Sequence, residues 1–182
     1  LRLPNWLGDF ILALPSVHLY QGWLNRRAPL LVVGPPALAP LAPLLLPEIE
    51  FIPAPSSPFS LHSIFKNRHV SSATLFPNSL RAALETLPAP YRAGFSRPLR
   101  DYLLTENRPR RTTPYGYVHV ADQYLGLLED LGLPKGKAEL PLPPTLPQTQ
   151  DPPAQPYPPE ALRHPHWLSP YLSPHPPPPP PP

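Results

Sequence analysis

The sequence predicts an α/β protein with a Rossmann-like parallel sheet and flanking helices, followed by an irregular proline-rich tail. Three observations predict this class: short apolar runs alternate with segments of helical periodicity, one apolar run is continuous, and proline dominates the last part of the chain. The continuous run at 30–33 is typical of a strand that a parallel sheet buries on both faces.

Each element follows from local pattern. The first strand is predicted to end near Leu3, and the next helix to run over 9–24. Pro15 should kink that helix or lie in its irregular opening, because proline has no amide hydrogen. The remaining strands are predicted at 49–52, 73–76 and 92–95, and the remaining helices at 37–46, 78–87 and 118–131.

Composition divides the chain into a predicted domain at 1–133 and a tail at 134–182. The tail holds twenty of the thirty-seven prolines and ends in seven consecutive prolines at 176–182. Because proline favours polyproline II and donates no backbone hydrogen bond, we expect this region to build neither a sheet nor a helical core. A linker, or a ligand for a proline-recognising partner, are the alternative interpretations of the tail.

Several classes of protein are excluded by composition. The chain has no cysteine, which excludes disulfides and thiolate metal sites. Its seven histidines show no ligand spacing with carboxylates, so no metal site is predicted. No membrane-spanning run and no signal peptide are visible, which predicts a cytoplasmic location. The net charge of +3 is not accompanied by a helix-turn-helix or aromatic-interleaved pattern, so nucleic acid is not a predicted partner.

The segment at 1–14 carries the most informative chemistry. Pro4 and Asn5 predict a turn, Gly8 lets the backbone turn sharply or approach a ligand closely, and Asp9 stands at the start of the predicted helix. Folds of this class place their ligands in loops at the carboxyl ends of the strands. A carboxylate there can cap the helix, act as a catalytic base, or do both.

Arginine is concentrated in one part of the chain and predicts an anionic ligand, since its guanidinium binds carboxylates and phosphates through paired hydrogen bonds. The cluster is Arg81, Arg92, Arg97, Arg100, Arg108, Arg110 and Arg111. We expect Arg81, Arg97 and Arg100 at the ligand edge of the sheet, and the last three to matter much less. A solvated basic face is the alternative. Asn78 is predicted to cap the next helix and, with Ser79, to offer N–H groups to an anion.

Five segments, at 1–14, 75–84, 91–95, 102–105 and 119–134, resemble in order the glycosyltransferase family 9 enzymes, the lipopolysaccharide heptosyltransferases. The P-N-W-L-G-D loop at 4–9 and the P-N-S element at 77–79 carry most of this resemblance. It implies the N-terminal, acceptor-binding domain of a GT-B glycosyltransferase. The residues that it implies are Asp9 as the catalytic base and Gly8, Asn78, Ser79, Arg81, Arg97 and Arg100 as acceptor-binding groups. His119 matches a histidine common in the family, with a packed or helix-terminal histidine as the alternative.

The resemblance also implies an activity. It implies inverting, metal-independent transfer of a sugar from ADP-heptose or another nucleotide sugar, without a cofactor, to an anionic glycolipid acceptor at the cytoplasmic face of the bacterial inner membrane. The match stops near residue 146 and no glycine follows Gly136, so the family's donor-binding domain has no counterpart here. The alternatives are a non-catalytic remnant, or a module that binds an anionic saccharide or, through the tail, a protein partner.

Overall fold

The computed structural model describes residues 1–24, 27–54, 57–114 and 116–139. Its helices are α1 Leu7–Leu24, α2 Ala42–Leu45, α3 Leu61–Asn67, α4 Leu80–Glu85 and α5 Val120–Asp130. Its strands are β1 Leu31–Gly34, β2 Glu50–Pro53, β3 Ser72–Leu75, β4 Tyr91–Phe95, β5 Glu106–Arg108, β6 Thr112–Thr113 and β7 Gly116–Tyr117. Most of the tail lies outside the described residues, so its irregular character and its boundary at 133 stay predictions.

The central sheet is parallel. β1 pairs with β2, and β3, β4 and β5 pair in that order. Residues 1–3 (the N-terminal segment) join the two sets: the Leu3 amide donates to the Val33 carbonyl oxygen at 2.8 Å, and the Arg2 amide to the Thr74 carbonyl oxygen at 2.9 Å. The order is therefore β2, β1, N-terminal segment, β3, β4, β5, which confirms the predicted parallel sheet.

The chain reverses its direction of travel across this sheet between the N-terminal segment and β3. β1 and then β2 are added on one side of the N-terminal segment. The chain then crosses back, and β3, β4 and β5 are added in that order on the other side. In doubly wound sheets a crevice opens at such a reversal, outside the carboxyl ends of the two strands. The loops that line it here are residues 4–9 and 76–79.

Helices cover both faces of the sheet. α1 and α5 pack against each other on one face, in a core that includes Val32 and Phe76. On the other face, α3 packs on Val33 and α4 packs on Leu75. Val32 and Val33 enter different cores because successive strand residues point to opposite faces. This three-layer arrangement confirms the predicted Rossmann-like class with flanking helices.

The predicted helix starts at 9, 78 and 118 each differ by two residues from the observed starts of α1, α4 and α5. α1 begins at Leu7, so Asp9 lies inside its first turn and not at the capping position. The cap of α4 is Ser79 and not Asn78, because the Ser79 hydroxyl oxygen accepts a hydrogen bond from the Ala82 amide at 3.2 Å. Ser79 also has the extended backbone that a capping residue needs, with φ −93° and ψ 146°.

Two further differences involve prolines, and a third is a helix that the sequence analysis does not predict. α1 continues through Pro15, which is buried. The helix predicted at 37–46 reduces to a short 3₁₀ turn and the four-residue α2, because the prolines inside it cannot donate to a helical ladder. The sequence analysis does not predict α3, although its buried Leu61 and Phe65 have the i, i+4 spacing of a helix face.

A group of three charges, of which Arg2 and Glu85 are buried and Arg81 is exposed, ties the N-terminal segment to α4. The Glu85 carboxylate, which is fully buried, accepts from Arg2 Nε at 2.6 Å and from Arg81 Nε at 2.8 Å. Arg2 is itself buried and also donates through Nη2 to the Asn5 side-chain oxygen at 3.0 Å. This network fixes the start of the loop at 4–9 against the helix that follows residues 76–79.

We expect Glu85→Ala to lower the free energy of unfolding by about 3–5 kcal/mol, because it leaves the buried Arg2 guanidinium without its counter-charge. Urea unfolding of the full chain measures this. The matched control is Glu50→Ala, which removes the exposed Glu50–Arg68 pair of 2.7 Å and should cost less than about 1 kcal/mol. Similar losses in the two variants would contradict the special role of the buried network.

Candidate functional site

The candidate site is the crevice at the carboxyl ends of the N-terminal segment, β3 and β4. We call it the cleft, formed by residues 4–9, 76–79 and 96–101. These three loops leave neighbouring parallel strands at one edge of the sheet, so they lie side by side. The sequence analysis placed Gly8, Asp9 and Asn78 in these loops, and the structure brings them to the same edge.

Asp9 provides the cleft with a half-buried carboxylate. Within the described residues this carboxylate forms no ion pair. Among the described residues no group donates a hydrogen bond to it, so it does not cap α1 through a hydrogen bond. It lies in the first turn, where a negative charge complements the positive end of the helix dipole. A carboxylate with free lone pairs in a ligand crevice can accept a proton from a bound hydroxyl.

An aromatic group formed by Phe76, Phe95 and Tyr124 lies next to Asp9. Tyr124 of α5 stacks on Phe76, with ring centroids 4.5 Å apart, and its ring centroid is 6.3 Å from that of Phe95. Burial, and next the negative charge of Asp9, raise the pKa of the Tyr124 hydroxyl. Tyr124 therefore stays a neutral phenol and keeps its proton beside Asp9.

Arg110, one of the three arginines that the sequence analysis expects to matter much less, contacts this aromatic group. Its guanidinium carbon lies 5.4 Å from the centroid of the Phe95 ring, a cation–π contact. In contrast, Arg108 pairs with Glu106. Within the described residues the Arg110 guanidinium forms no ion pair, so its charge is available at the cleft.

Arg111 is neutralised on α5. Its guanidinium contacts the Glu129 carboxylate at 3.0 Å and the Asp130 carboxylate at 2.7 Å. It also donates to the Gly126 carbonyl oxygen at 3.1 Å. The hydrogen bond to Asp130 is the main reason why the pKa of Arg111 is raised. Arg111 thus connects the chain after β5 to α5.

The three arginines expected at the ligand edge have three different environments. Arg81 pairs with Glu85 one turn along α4. Arg97 is exposed, and its Nη1 donates to the Asn78 carbonyl oxygen at 3.2 Å. Arg100 is fully buried, and its Nη1 donates to the Asn78 side-chain oxygen at 3.3 Å and to the Phe95 carbonyl oxygen. Of the three, Arg97 alone offers an exposed guanidinium that no carboxylate pairs among the described residues.

Arg100 is packed deep behind the cleft. A Cβ atom added at Gly94 would lie 2.6 Å from Arg100 Nη2 and 3.0 Å from the Leu75 carbonyl oxygen, so only glycine leaves room for the guanidinium. Its Nε and Nη2 have no hydrogen-bond partner among the described residues. Burial lowers the pKa of Arg100 to about 10. The preceding Leu99 has a left-handed backbone, with φ +67°, which is unusual for a branched side chain.

His119 takes the helix-terminal position that was the alternative interpretation for it. It caps α5, with Nδ1 accepting from the Ala121 amide at 3.3 Å. Within the described residues no group of three or more histidine, aspartate or glutamate side chains could hold a metal ion. In that same part of the chain, no helix is long and apolar enough to cross a membrane.

Comparison with known proteins shows the fold. No family model and no curated protein matches the chain. The solved structure of ADP-heptose LPS heptosyltransferase II from E. coli is similar, with 23% identity and a TM-score of 0.58 over 79% of this chain and 46% of that chain. A glycosyl transferase family 9 structure from Veillonella parvula DSM 2008 is similar with 18% identity and a TM-score of 0.60, over 77% of this chain and 42% of that chain. The chain thus shares their fold and spans less than half the length of either.

The fit of Arg100 against Gly94 gives a test of the site's geometry. We expect Gly94→Ala to lower the free energy of unfolding by about 1–3 kcal/mol, because the added methyl group must displace a buried guanidinium or strand backbone. Gly22→Ala in α1, where an added Cβ meets open space, should raise that free energy by up to about 1 kcal/mol. Urea unfolding of both variants measures these changes in the free energy of unfolding. A stabilised Gly94→Ala protein would contradict the packing of Arg100 against Gly94.

Proposed function

We propose that this chain is the acceptor-binding half of an inverting glycosyltransferase similar to the heptosyltransferases, with Asp9 as the general base. The observation that carries the proposal is the unpaired Asp9 carboxylate in the cleft at the reversal of a doubly wound sheet. The fold shared with two solved glycosyltransferases supports it. The proposed donor is a nucleotide-diphospho-sugar such as ADP-heptose.

The proposed reaction needs one proton acceptor and one pre-organised acceptor hydroxyl. As the hydroxyl oxygen forms its bond to the anomeric carbon, its proton passes to Asp9, and the sugar–phosphate bond breaks so that the nucleoside diphosphate leaves with the electron pair. Attack on the face opposite to the leaving group inverts the anomeric centre. The chain spans less than half the length of the two similar glycosyltransferases, so the donor is proposed to bind to a further domain.

The proposed acceptor is an anionic glycan of the lipopolysaccharide type. Arg97 and Arg110 support this, since both are exposed, unpaired with carboxylates in the described part of the chain, and placed at the cleft. Charge-assisted hydrogen bonds from such groups contribute about 1.5–3 kcal/mol each. A glycolipid acceptor would bring the protein to the cytoplasmic face of the inner membrane, as a peripheral protein. A non-catalytic module that binds the same anionic saccharide is the alternative function.

The different environments of the arginines predict that their replacement by alanine weakens acceptor binding to different degrees. We expect Arg97→Ala and Arg110→Ala each to weaken binding of a phosphorylated or sugar-acid inner-core fragment by about tenfold or more. Arg108→Ala and Arg111→Ala should weaken it far less, because carboxylates already pair with both side chains. Calorimetric titration of the full chain measures this, and added salt should weaken the wild-type complex. Equal, small effects at all four positions would favour a solvated basic face.

Asp9→Asn separates catalysis from binding. In a protein that joins this chain to a nucleotide-sugar-binding domain, we expect the substitution to lower turnover by about 10²–10⁴-fold, because asparagine cannot accept the proton. Acceptor affinity and thermal stability should change little. Turnover equal to that of the wild type would exclude Asp9 as the base. Absence of transfer even in the wild-type fusion, with acceptor binding intact, would favour the non-catalytic module.

A further inference from the structure

The side-chain amide of Asn78 is held in one orientation. Its oxygen accepts a hydrogen bond from Arg100 Nη1 at 3.3 Å. Its nitrogen has no partner among the described residues, and it is not among their buried polar atoms that lack a partner. Asn78 itself is half-buried. The amide nitrogen therefore faces solvent at the cleft, with two hydrogens to donate.

The chemistry of Arg100 explains why this orientation is unique. A guanidinium has five N–H donors and no acceptor, so a flipped amide would place donor against donor. Arg100 cannot turn away, because it is fully buried against Gly94 and also donates to the Phe95 carbonyl oxygen. Arg97 fixes the backbone of the same residue through the Asn78 carbonyl oxygen at 3.2 Å.

The surroundings of this amide nitrogen are rich in donors. Arg97 presents an exposed guanidinium beside it. The neighbouring carboxylate, Asp101, is occupied: one oxygen accepts from the Arg97 amide at 2.9 Å and the other from the Ser96 hydroxyl at 2.6 Å. The Asn78 amide nitrogen and the Arg97 guanidinium are both donors, so a group that only accepts hydrogen bonds fits them, and carboxylate and phosphate oxygens are such groups.

We infer that Asn78 is a dedicated hydrogen-bond donor to an oxyanion of the bound ligand, with Arg100 as the positioning residue that aims it. This inference rests on the proposed anionic acceptor and adds the residue that donates a hydrogen bond to its charged oxygen. The shared chemistry is a carboxylate or phosphate oxygen, which a sugar acid or a phosphorylated sugar would supply.

Asn78→Asp tests the inference because stability and binding should change in opposite directions. The substitution keeps the oxygen that faces Arg100 and supplies that buried guanidinium with a counter-charge, so the melting temperature should hold or rise. It also replaces the donating nitrogen by a charged oxygen, so affinity for an oxyanion should fall at least about tenfold. A residue with a purely structural role would not lose binding while keeping stability.

The matched control is Asn67→Asp, which introduces the same charge at an exposed position at the end of α3. Residue 67 leads toward the start of β3, at the edge of the sheet opposite to the cleft, so this variant should bind like the wild type. The full chain is titrated by NMR with inorganic phosphate, glucuronate and, as the neutral comparison, glucose. The anion that binds more tightly identifies the source of the oxyanion.

The expected result is wild-type binding of phosphate or glucuronate but not glucose, lost in Asn78→Asp at an unchanged or higher melting temperature and kept in Asn67→Asp. Binding by Asn78→Asp equal to that of the wild type overturns the inference and leaves the anionic acceptor standing. The inference also fails if affinity falls only in step with the melting temperature. If the wild type binds neither anion, both the inference and the proposed anionic acceptor are wrong.

Discussion

The backbone hydrogen bonds on both sides of Arg2 hold the sheet together. On one side the Arg2 amide and carbonyl bond to Thr74 and Phe76, and on the other the Leu3 amide bonds to Val33. Among the described residues no other ladder joins β1 and β2 to β3, β4 and β5. The same pairing sets the loop at 4–9 beside the loop at 76–79, so the cleft exists because this short segment lies between two strands.

The arginines that lie close together in sequence have different physical roles. The role of each one depends on the groups with which its guanidinium pairs. Arg81 and Arg111 are neutralised by carboxylates on α4 and α5. Arg92 donates to the Ala89 and Leu103 carbonyl oxygens and thereby ties β4 to its neighbouring turns. The exposed guanidiniums without carboxylate partners are the ones that can meet a ligand. A count of charges from composition therefore overstates the cationic character of the cleft.

Local pattern was sufficient to predict β1 to β4, α1, α4 and α5, but not α3, β5, β6, β7 or the partners of these elements. The apolar run at 30–33 predicts β1 because burial on both faces of a sheet leaves that signature. Asn78 and Ser79 are adjacent, and both side chains are good caps, so the sequence does not determine which one caps α4. The contact of Arg110 with Phe95 and the burial of Arg100 behind Gly94 depend on how β4 and β5 align. No hydrophobic period encodes either contact.

The left-handed backbone at Leu99 has a consequence for how this region can evolve. That conformation costs about 1–3 kcal/mol for a side chain such as leucine, and the turn that contains it delivers Arg100 into the interior. If a small side chain replaces Arg100, the strained turn is no longer needed to place a guanidinium in the interior. The two positions are therefore epistatic: the fitness effect of a substitution at 99 depends on the residue at 100, and homologues should show the pair changing together.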